Sequence, residues 1–375
     1  MKSRKKLLFI FGTRPEAIKM APLIKETSKH PEFTFKICVT GQHRELLDQV
    51  LHFFKIRPDF DLHVMKQDQT LFSITADIIK DLEKIVKNYK PDIILVQGDT
   101  TTAFVGALVG YYCKIKVVHI EAGLRSGQKY SPFPEEMNRI IAGHIADYHF
   151  APTKKAVEAL ANESITKNVF EVGNTSIDAL LLGLKILKNN GKMVSNKDFA
   201  NVDFSKKIIL VTAHRRESFG NSFENICKAI KDIVKNFSDV EIVFPVHPNP
   251  NIRKPAYKIL AGQPGIHLLE PLDYPQLLWI MEKSYLIMTD SGGIQEEAPS
   301  LGKPVLVMRD FTERTEGIDA GTAILVGTNR NKIFLEVKKL LQHPEKYNKM
   351  SASKNPYGDG LASKRIFKHL KKIKL

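Results

Sequence analysis

Cysteine is scarce in this chain, and no two cysteines are close in sequence. The 375 residues include only three, Cys38, Cys113 and Cys227, and each lies in or beside an apolar segment. This spacing lacks the paired cysteines of a zinc site and the density of a disulfide framework. We therefore expect buried thiols and no bound metal.

Long hydrophobic runs are also missing. Residues 1–6 are basic, like the start of a signal peptide, but the apolar stretch 7–11 ends at Gly12 and is followed by Arg14 and Glu16. A signal peptide needs a longer apolar core, and a membrane-spanning helix needs roughly 20 apolar residues. The sequence therefore predicts a soluble, cytoplasmic protein that does not enter a membrane.

Acidic residues are fewer than basic ones, which leaves a formal net charge of +15. Part of this charge lies at residues 2–6 and 364–374. A nucleic-acid-binding protein would carry a basic face interleaved with exposed aromatic residues, or a recognised motif, and the sequence shows neither. We interpret the charge as a solvated basic surface combined with an anionic small-molecule substrate, and we expect no nucleic-acid partner.

The chain does contain a repeated alternation of short apolar strands and amphipathic helices. Residues 73–89, for example, place Ile74, Ile78, Leu82 and Ile85 at helical spacing. Strands that alternate with helices indicate parallel sheets covered on both faces, and about twelve strands are too many for one sheet. The sequence therefore predicts an α/β fold with two doubly wound domains, whose boundary lies near residues 188–205. The predicted strands are residues 6–11, 35–40, 93–97, 117–120, 148–151, 169–172, 208–212, 241–245, 266–269, 286–289, 305–308 and 323–326.

The most informative segment is 289–297, in which an apolar strand leads through Ser291, Gly292 and Gly293 into a helix-like stretch. Glycines at a strand-to-helix turn let backbone N–H groups approach a phosphate, and the helix N-terminus adds a partial positive charge. A simple tight turn would also need glycine at this point. The phosphate site is favoured because other segments place charged residues after strands in the same way, where open α/β sheets bind ligands.

The segment after the first strand carries two cations at the start of a helix. Thr13 and Glu16 have the spacing of a capping box, and Pro15 suits a first helical turn. Arg14 and Lys19 would then stand near a positive helix end, where they are either solvated cations or ligands for an anion.

Carboxylates follow neighbouring strands of the first half. Asp99 and Glu121 each end an apolar strand, and Glu135 begins a helix. Each has a structural alternative: Asp99 as a helix N-cap, and Glu135 as a helix-start acid that pairs with Arg139 at i, i+4. Glutamate rarely ends a strand for structural reasons alone, and three acids at adjacent turns of one parallel sheet predict an acid/base site.

The second half places a histidine and several arginines after strands. His214 is followed by Arg215 and Arg216, and His247 follows the next strand. Two flanking cations disfavour protonation of His214, so we expect a neutral imidazole that donates a hydrogen bond to a phosphate. Arg314, after a later strand, can grip a phosphate with its planar guanidinium.

Taken together and in this order, these segments resemble the non-hydrolysing UDP-N-acetylglucosamine 2-epimerases, over roughly residues 7–360. So many separate motifs in one order exclude chance similarity. The motifs are Gly12-Thr13-Arg14-Pro15-Glu16, Gly98-Asp99-Thr100, His119-Ile120-Glu121-Ala122-Gly123, Pro134-Glu135-Glu136-Met137-Asn138-Arg139, Thr212-Ala213-His214-Arg215-Arg216-Glu217 and Asp290-Ser291-Gly292-Gly293.

The resemblance implies a GT-B architecture, with two doubly wound Rossmann-like domains facing a central cleft. The expected domains are residues 1–173 together with a C-terminal helix 361–375, carrying the catalytic acids, and residues 174–360, binding UDP. It also implies a homodimer, for which the amphipathic helix after Leu71 offers a surface, and a catalytic cycle that includes domain closure.

The resemblance also implies roles for individual residues. The residues matching the family's active site are Arg14, Lys19, Asp99, Glu121, Glu135 and His214. The residues matching its nucleotide site are Ser291, Gly292 and Gly293 for the diphosphate, Glu297 for the ribose and Arg314 for a further contact. The residues matching its effector site, at which a second UDP-GlcNAc activates some members, are Gln42, His43 and His247.

Two acids near this effector site differ from the regulated members. Glu45 and Asp68 stand where some of those members carry Gln and Arg, and acids repel an anionic diphosphate. The sequence therefore predicts weakened or altered activation.

The implied reaction inverts C2 of the sugar in UDP-N-acetylglucosamine (UDP-GlcNAc) to give UDP-N-acetylmannosamine (UDP-ManNAc), a precursor of cell-surface polysaccharides. Because C1 is an acetal carbon, the C2 proton becomes acidic only as the C1–O bond to UDP breaks, so elimination to 2-acetamidoglucal and re-addition of UDP are expected. Neither a metal nor a nicotinamide cofactor is required. The alternatives are a GT-B glycosyltransferase, a hydrolysing epimerase, an epimerase of a modified UDP-sugar and a non-catalytic sensor of sugar nucleotides.

Overall fold

The structure is a computed structural model that describes residues 4–41, 44–65, 69–190 and 198–374. The chain divides into two compact units, Met1–Leu182 together with Gly358–Leu375, and Gly183–Tyr357. The two units divide after Leu182, inside the helix Thr175–Asn190. The domain boundary expected at residue 173 stays a prediction.

The first unit is built on one seven-stranded parallel sheet. Its strands are β1 (Lys5–Phe11), β2 (Phe33–Val39), β3 (Phe60–Asp61), β4 (Ile93–Gln97), β5 (Lys116–Ile120), β6 (Tyr148–Ala151) and β7 (Val169–Glu171). They lie in the order β3-β2-β1-β4-β5-β6-β7. The helices that follow these strands, one after each, are α1 (Arg14–Thr27), α2 (Arg44–Phe53), α3 (Leu71–Tyr89), α4 (Thr101–Tyr112), α5 (Glu135–Ile145), α6 (Lys154–Asn162) and α7 (Thr175–Asn190).

The second unit repeats the pattern with six parallel strands. Its strands are β8 (Lys207–Thr212), β9 (Val240–Pro245), β10 (Ile266–Leu269), β11 (Leu286–Thr289), β12 (Val305–Val307) and β13 (Ala323–Leu325). They lie in the order β10-β9-β8-β11-β12-β13. The helices are α8 (Asn221–Asn236), α9 (Pro250–Leu260), α10 (Tyr274–Lys283), α11 (Gly292–Glu297), α12 (Thr315–Asp319), α13 (Arg330–Gln342) and α14 (Pro344–Ser351), with short 3-10 helices at Arg216–Ser218 and Ala298–Leu301.

The final helix, α15 (Ala362–Leu370), belongs to the first unit and packs on α1. Its first turn is capped by a distant carboxylate, because Asp178 of α7 accepts hydrogen bonds from the backbone N–H groups of Ala362 (3.1 Å) and Ser363 (2.8 Å). Burial raises the pKa of Asp178, and these hydrogen bonds act against that rise.

The central strands are buried on both faces, as their continuous apolar sequences predict. The predicted α/β class is confirmed, and each of the twelve predicted strands lies within two residues of an observed one. Strand β3 was not predicted, because two residues carry no periodic signal. Helix α3 begins two residues earlier than the predicted 73–89, because Thr70 caps it by accepting a hydrogen bond from the Ser73 N–H at 3.2 Å.

In each sheet the strand order reverses direction once, between β1 and β4 in the first unit and between β8 and β11 in the second. Open parallel sheets bind ligands beyond the carboxyl ends of the strands at such a point. The segments that follow these four strands are 12–14, 98–100, 213–215 and 290–293. Motifs far apart in the sequence are therefore brought to one edge of each sheet.

The three cysteines are buried to different degrees. Cys38 and Cys227 are buried, as expected, whereas Cys113 is only half-buried. Within the four described ranges, no helix is long and apolar enough to cross a membrane. In the same ranges, no group of three or more His, Cys, Asp or Glu side chains is placed to hold a metal ion.

Candidate active site

Asp99 lies at the carboxyl end of β4, where it forms an ion pair with the Arg139 guanidinium. Asn138, the residue before Arg139 in α5, donates a hydrogen bond to the backbone carbonyl of Asp99 at 3.0 Å. Burial raises the pKa of Asp99, and the nearby Glu121 carboxylate adds to this rise, whereas Arg139 and Lys19 lower it. Asp99 therefore carries a carboxyl group that holds a proton more readily than an ordinary aspartate does.

Glu121 follows β5 and has an unusual backbone. Its φ is +64°, in the left-handed region that residues other than glycine rarely adopt. Its carboxylate forms an ion pair with Lys19 and accepts hydrogen bonds from the Gln97 and Asn174 amides, the latter at 3.3 Å. Only 7% of the side chain is exposed. A strained backbone that persists at a buried, fully paired acid is typical of a functional site.

Glu16 joins the first two motifs and is deeply buried, with 2% of its surface exposed. One carboxylate oxygen accepts hydrogen bonds from the N–H groups of Gly12 (3.0 Å) and Thr13 (2.8 Å) and from the Thr13 hydroxyl (2.8 Å). The other accepts from the Thr100 hydroxyl at 2.7 Å. Burial raises the pKa of Glu16 to about 7, although all of these hydrogen bonds lower it.

The capping-box spacing predicted one role of Glu16 correctly, since its carboxylate accepts from the N–H of the N-cap residue, Thr13. The link to Thr100 has no counterpart in that local pattern. Because Thr100 directly follows Asp99, Glu16 ties the segment that carries Arg14 and Lys19 to the segment that carries Asp99.

Glu135 is the first residue of α5 and is half-buried. Arg139 pairs with Asp99, and with Glu136 at 3.3 Å, rather than with Glu135. Within the described part of the chain, no hydrogen bond or ion pair of the Glu135 side chain is found. Glu136 is instead the structural acid, because it accepts backbone hydrogen bonds from Ser126 and Gly127 at 3.1 Å.

The Gly98 carbonyl is held by His119, whose Nε2 donates a hydrogen bond of 2.7 Å. Burial lowers the pKa of His119 to about 4, so this ring is neutral. The segment 98–100 is thus held by side chains from β5, α5 and α1. Arg14 is the first residue of α1 and is half-buried. The structure brings Lys19, Asp99 and Glu121 together at one sheet edge.

In the second unit, His214 follows β8 and contacts Asp290, which follows the neighbouring strand β11. Its Nδ1 lies 3.0 Å from a carboxylate oxygen of Asp290. The other oxygen accepts from the backbone N–H groups of His214 (2.7 Å) and Arg215 (2.8 Å). Burial acts to raise the pKa of Asp290, but these contacts outweigh it and the pKa is lowered.

Arg215 and Arg216 therefore form only part of the surroundings of His214, which also include the buried Asp290 carboxylate. An ionised Asp290 at Nδ1 favours the tautomer with a proton on that nitrogen and leaves Nε2 to face solvent or a ligand. The His247 ring stacks on His214, with ring centroids 6.0 Å apart. Burial and the His214 ring lower the pKa of His247.

Gly292 and Gly293 begin α11 directly after Ser291, as the sequence predicts. A Cβ added at Gly292 would lie 3.2 Å from the Arg314 guanidinium carbon, whereas a Cβ at Gly293 would meet nothing within 4 Å. The two glycines therefore differ: the first makes room for Arg314, and the second leaves space open beside the loop.

Arg314 is oriented by acids. Its Nε donates a hydrogen bond to Glu296 at 3.0 Å, and its Nη1 lies 3.4 Å from Glu313. Arg309 is buried and pairs with Glu217 (2.6 Å) and with Glu313 (3.2 Å). Glu297, the last residue of α11, is buried beside Glu296.

Several residues of this arrangement were not singled out as site residues from the sequence. They are Glu16, Gln97, Arg139, Asn174, Asp290 and Glu296. Arg139, Asp290 and Glu16 stand inside the quoted motifs, so the motif boundaries were the available signal. Of the predicted effector residues, Gln42 and His43 lie outside the described residues, as does Asp68. Glu45 is exposed in the first turn of α2.

The family described as UDP-N-acetylglucosamine 2-epimerase matches residues 25–371. The UDP-N-acetylglucosamine 2-epimerase of Yersinia pestis is 52% identical, over 98% of each chain. A crystal structure of UDP-GlcNAc 2-epimerase from Neisseria meningitidis bound to UDP-GlcNAc is 48% identical, with a TM-score of 0.90, and covers 98% of this chain and 100% of that one.

A more distant likeness concerns the fold alone. A spinosyn rhamnosyltransferase, 13% identical, aligns over 98% of this chain and 100% of its own with a TM-score of 0.59. Together with the two parallel sheets, this likeness confirms the GT-B class of fold. The sequence identity and coverage of the closer relatives decide the family. The chain belongs to the UDP-N-acetylglucosamine 2-epimerase family, and it is an isomerase.

Proposed function

We propose that the chain interconverts UDP-GlcNAc and UDP-ManNAc by eliminating UDP and adding it back. In the first step, a carboxylate removes the C2 proton while the C1–O bond to UDP breaks, which leaves UDP and neutral 2-acetamidoglucal. In the second step, the diphosphate oxygen adds to C1 and a proton is delivered to the opposite face of C2. Atoms and charges balance without a metal or a redox cofactor.

The observation that carries the proposal is the set of acids at one edge of the first sheet. Asp99 and Glu121 are each paired with a cation, Arg139 and Lys19 respectively, and Asp99 has a raised pKa. A carboxyl group whose pKa is shifted toward neutrality is suited to giving and taking a proton. Glu135, which has no partner in the described part of the chain, is the third proposed acid or base.

The second unit supplies groups suited to the leaving diphosphate. We propose that the N–H groups after Ser291, the open space at Gly293 and the guanidinium of Arg314 bind UDP, with Glu297 at the ribose. His214, whose Nδ1 lies against the Asp290 carboxylate, would donate a hydrogen bond to the diphosphate from Nε2 as an imidazolium, in which both ring nitrogens carry a proton. The relative from Neisseria meningitidis, whose crystal structure is bound to UDP-GlcNAc, supports UDP-GlcNAc as the ligand.

The test is incubation of the protein with UDP-GlcNAc in deuterated water, followed by NMR of the products. The proposal expects UDP-ManNAc and deuterium at C2 of both sugars, because the C2 proton exchanges with solvent in each turnover. Deuterium-free sugar and transfer to an added acceptor would identify a glycosyltransferase. Free N-acetylmannosamine with released UDP would identify a hydrolysing epimerase, and turnover of a modified UDP-sugar alone would change the substrate.

We further propose a homodimer that works in the cytoplasm on precursors of cell-surface polysaccharides. The exposed side chains Leu71 and Phe72 at the start of α3, the latter 88% exposed, offer an apolar contact. Light scattering at micromolar concentration should give twice the mass of the chain, and Phe72→Asp should lower it. A monomeric mass for the unmodified protein would contradict the dimer.

A further inference from the structure

A short segment that follows α14, residues 355–357, contacts both loops of the proposed nucleotide site. Asn355 donates hydrogen bonds to the backbone carbonyl of Glu296 at 2.9 Å and to the hydroxyl of Ser300 at 2.6 Å. Tyr357 donates from its hydroxyl to the backbone carbonyl of Arg314 at 3.1 Å. Neither residue belongs to the segments that carry the proposed chemistry.

The two side chains act on the two halves of one ion pair. Glu296 accepts a hydrogen bond from the Nε of Arg314 at 3.0 Å, and the Arg314 guanidinium lies beside Gly292. Asn355 holds the backbone of Glu296, and Tyr357 holds the backbone of Arg314. The two residues are also joined to each other, because Asn355 Oδ1 accepts a hydrogen bond from the Tyr357 N–H at 3.0 Å.

The Tyr357 hydroxyl makes a second contact that fixes the start of α12. It accepts a hydrogen bond from the Gly317 N–H at 3.1 Å while it donates to Arg314. Asn355 and Tyr357 are both buried, with Tyr357 at 3% exposure. Burial raises the pKa of Tyr357, so its hydroxyl stays protonated. A buried hydroxyl that satisfies one donor and one acceptor cannot be removed without leaving both groups unpaired.

We propose that Asn355 and Tyr357 are positioning residues for nucleotide binding, which act by holding the backbones of Glu296 and Arg314 so that the Arg314 guanidinium stays beside Gly292. The inference rests on the proposed function, in which Arg314 binds the diphosphate of UDP. A guanidinium binds a phosphate through paired N–H groups of fixed direction, so a small displacement of its backbone weakens the contact.

The matched comparison is Tyr357→Phe against Tyr347→Phe. Tyr347 is in the same unit and also donates its hydroxyl to a backbone carbonyl, that of Tyr285, at 3.0 Å. Each variant loses one hydroxyl and no ring, but Tyr347 touches neither loop of the nucleotide site. Calorimetry with UDP as the probe is the first measurement, and KM and kcat with UDP-GlcNAc are the second.

For Tyr357→Phe we expect a Kd for UDP raised about 5- to 10-fold, equivalent to about 1 kcal/mol. KM should rise in parallel, whereas kcat at saturating substrate should change less than twofold. Tyr347→Phe should bind UDP as the unmodified protein does, although both variants should lose thermal stability. A purely structural role for Tyr357 would lower the melting temperature without this selective loss of UDP affinity.

Unchanged UDP affinity in Tyr357→Phe, or equal weakening in Tyr347→Phe, would overturn the inference. If Tyr357→Phe does not fold, Asn355→Ala provides the same test through the Glu296 side of the pair, with the same expected loss of UDP affinity. The proposed function fails separately: if the unmodified protein does not bind UDP, the nucleotide site itself is misassigned.

Discussion

Glu16→Gln should change how the stability of the protein depends on pH. The carboxyl group is buried, and its pKa rises from 4.5 to about 7 in the folded chain. Between these values the folded state keeps a proton that the unfolded state has already lost. The unfolded state then binds fewer protons, so the free energy of unfolding falls as pH rises through this range.

The magnitude follows from the pKa values. An increase of about 2.5 in pKa corresponds to about 3 kcal/mol, since each pKa unit is worth about 1.4 kcal/mol. Glutamine has the same shape and cannot ionise. Its oxygen can accept from the N–H groups of Gly12 and Thr13, and its amide can donate to the Thr100 hydroxyl, so the variant should fold.

The assay is urea unfolding of both proteins, followed by circular dichroism, at pH values from 4 to 8. We expect the stability of the unmodified protein relative to Glu16→Gln to fall by about 3 kcal/mol between pH 4.5 and pH 8. Glu26→Gln is the control on the same helix. There burial acts to raise the pKa, but Lys29 and His30 lower it, so Glu26 contributes stability that is lost as pH falls. A difference between the unmodified protein and Glu16→Gln that does not vary with pH would refute the reasoning.

Three further predictions follow from the site. Changing Asp99, Glu121 or Glu135 to its amide should lower kcat at least ~100-fold while UDP binding is largely kept. The control Asp92→Asn, at the opposite end of β4, should keep normal turnover. Near-normal kcat in two of the three amide variants would contradict the assignment. Gly292→Val should abolish UDP binding in calorimetry, because its side chain would displace Arg314. Arg314→Lys should weaken UDP binding, because a point charge cannot form a bidentate contact. Unchanged UDP affinity in both would exclude the proposed loop. Finally, the free energy of unfolding of Glu121→Gly should be about 1 kcal/mol higher than that of Glu121→Ala, because a φ of +64° strains alanine and not glycine. Equal stability of the two variants would show that this backbone relaxes.

Much of the fold was determined by local sequence patterns. Short apolar runs and helical periodicity placed twelve strands to within two residues, because a buried parallel strand and an amphipathic helix each leave a regular spacing of apolar side chains. The two-residue strand β3 leaves no such spacing and was missed. The glycines and charged residues after β1, β4, β8 and β11 were also visible, since a strand end is a local feature.

The partners of those charged residues were decided only by the tertiary structure. Arg139 lies 40 residues from Asp99 and four from Glu135, and it pairs with the distant acid. Asp290 reaches the backbone of His214 across 76 residues, a contact that the sequence neighbours of His214 do not indicate. Helical spacing allows several ion pairs, and the strand order then selects among them, because it determines which loops meet at an edge. The sequence by itself therefore determined which residues stand at the ends of strands, while the strand order of the folded sheets decided which of them touch.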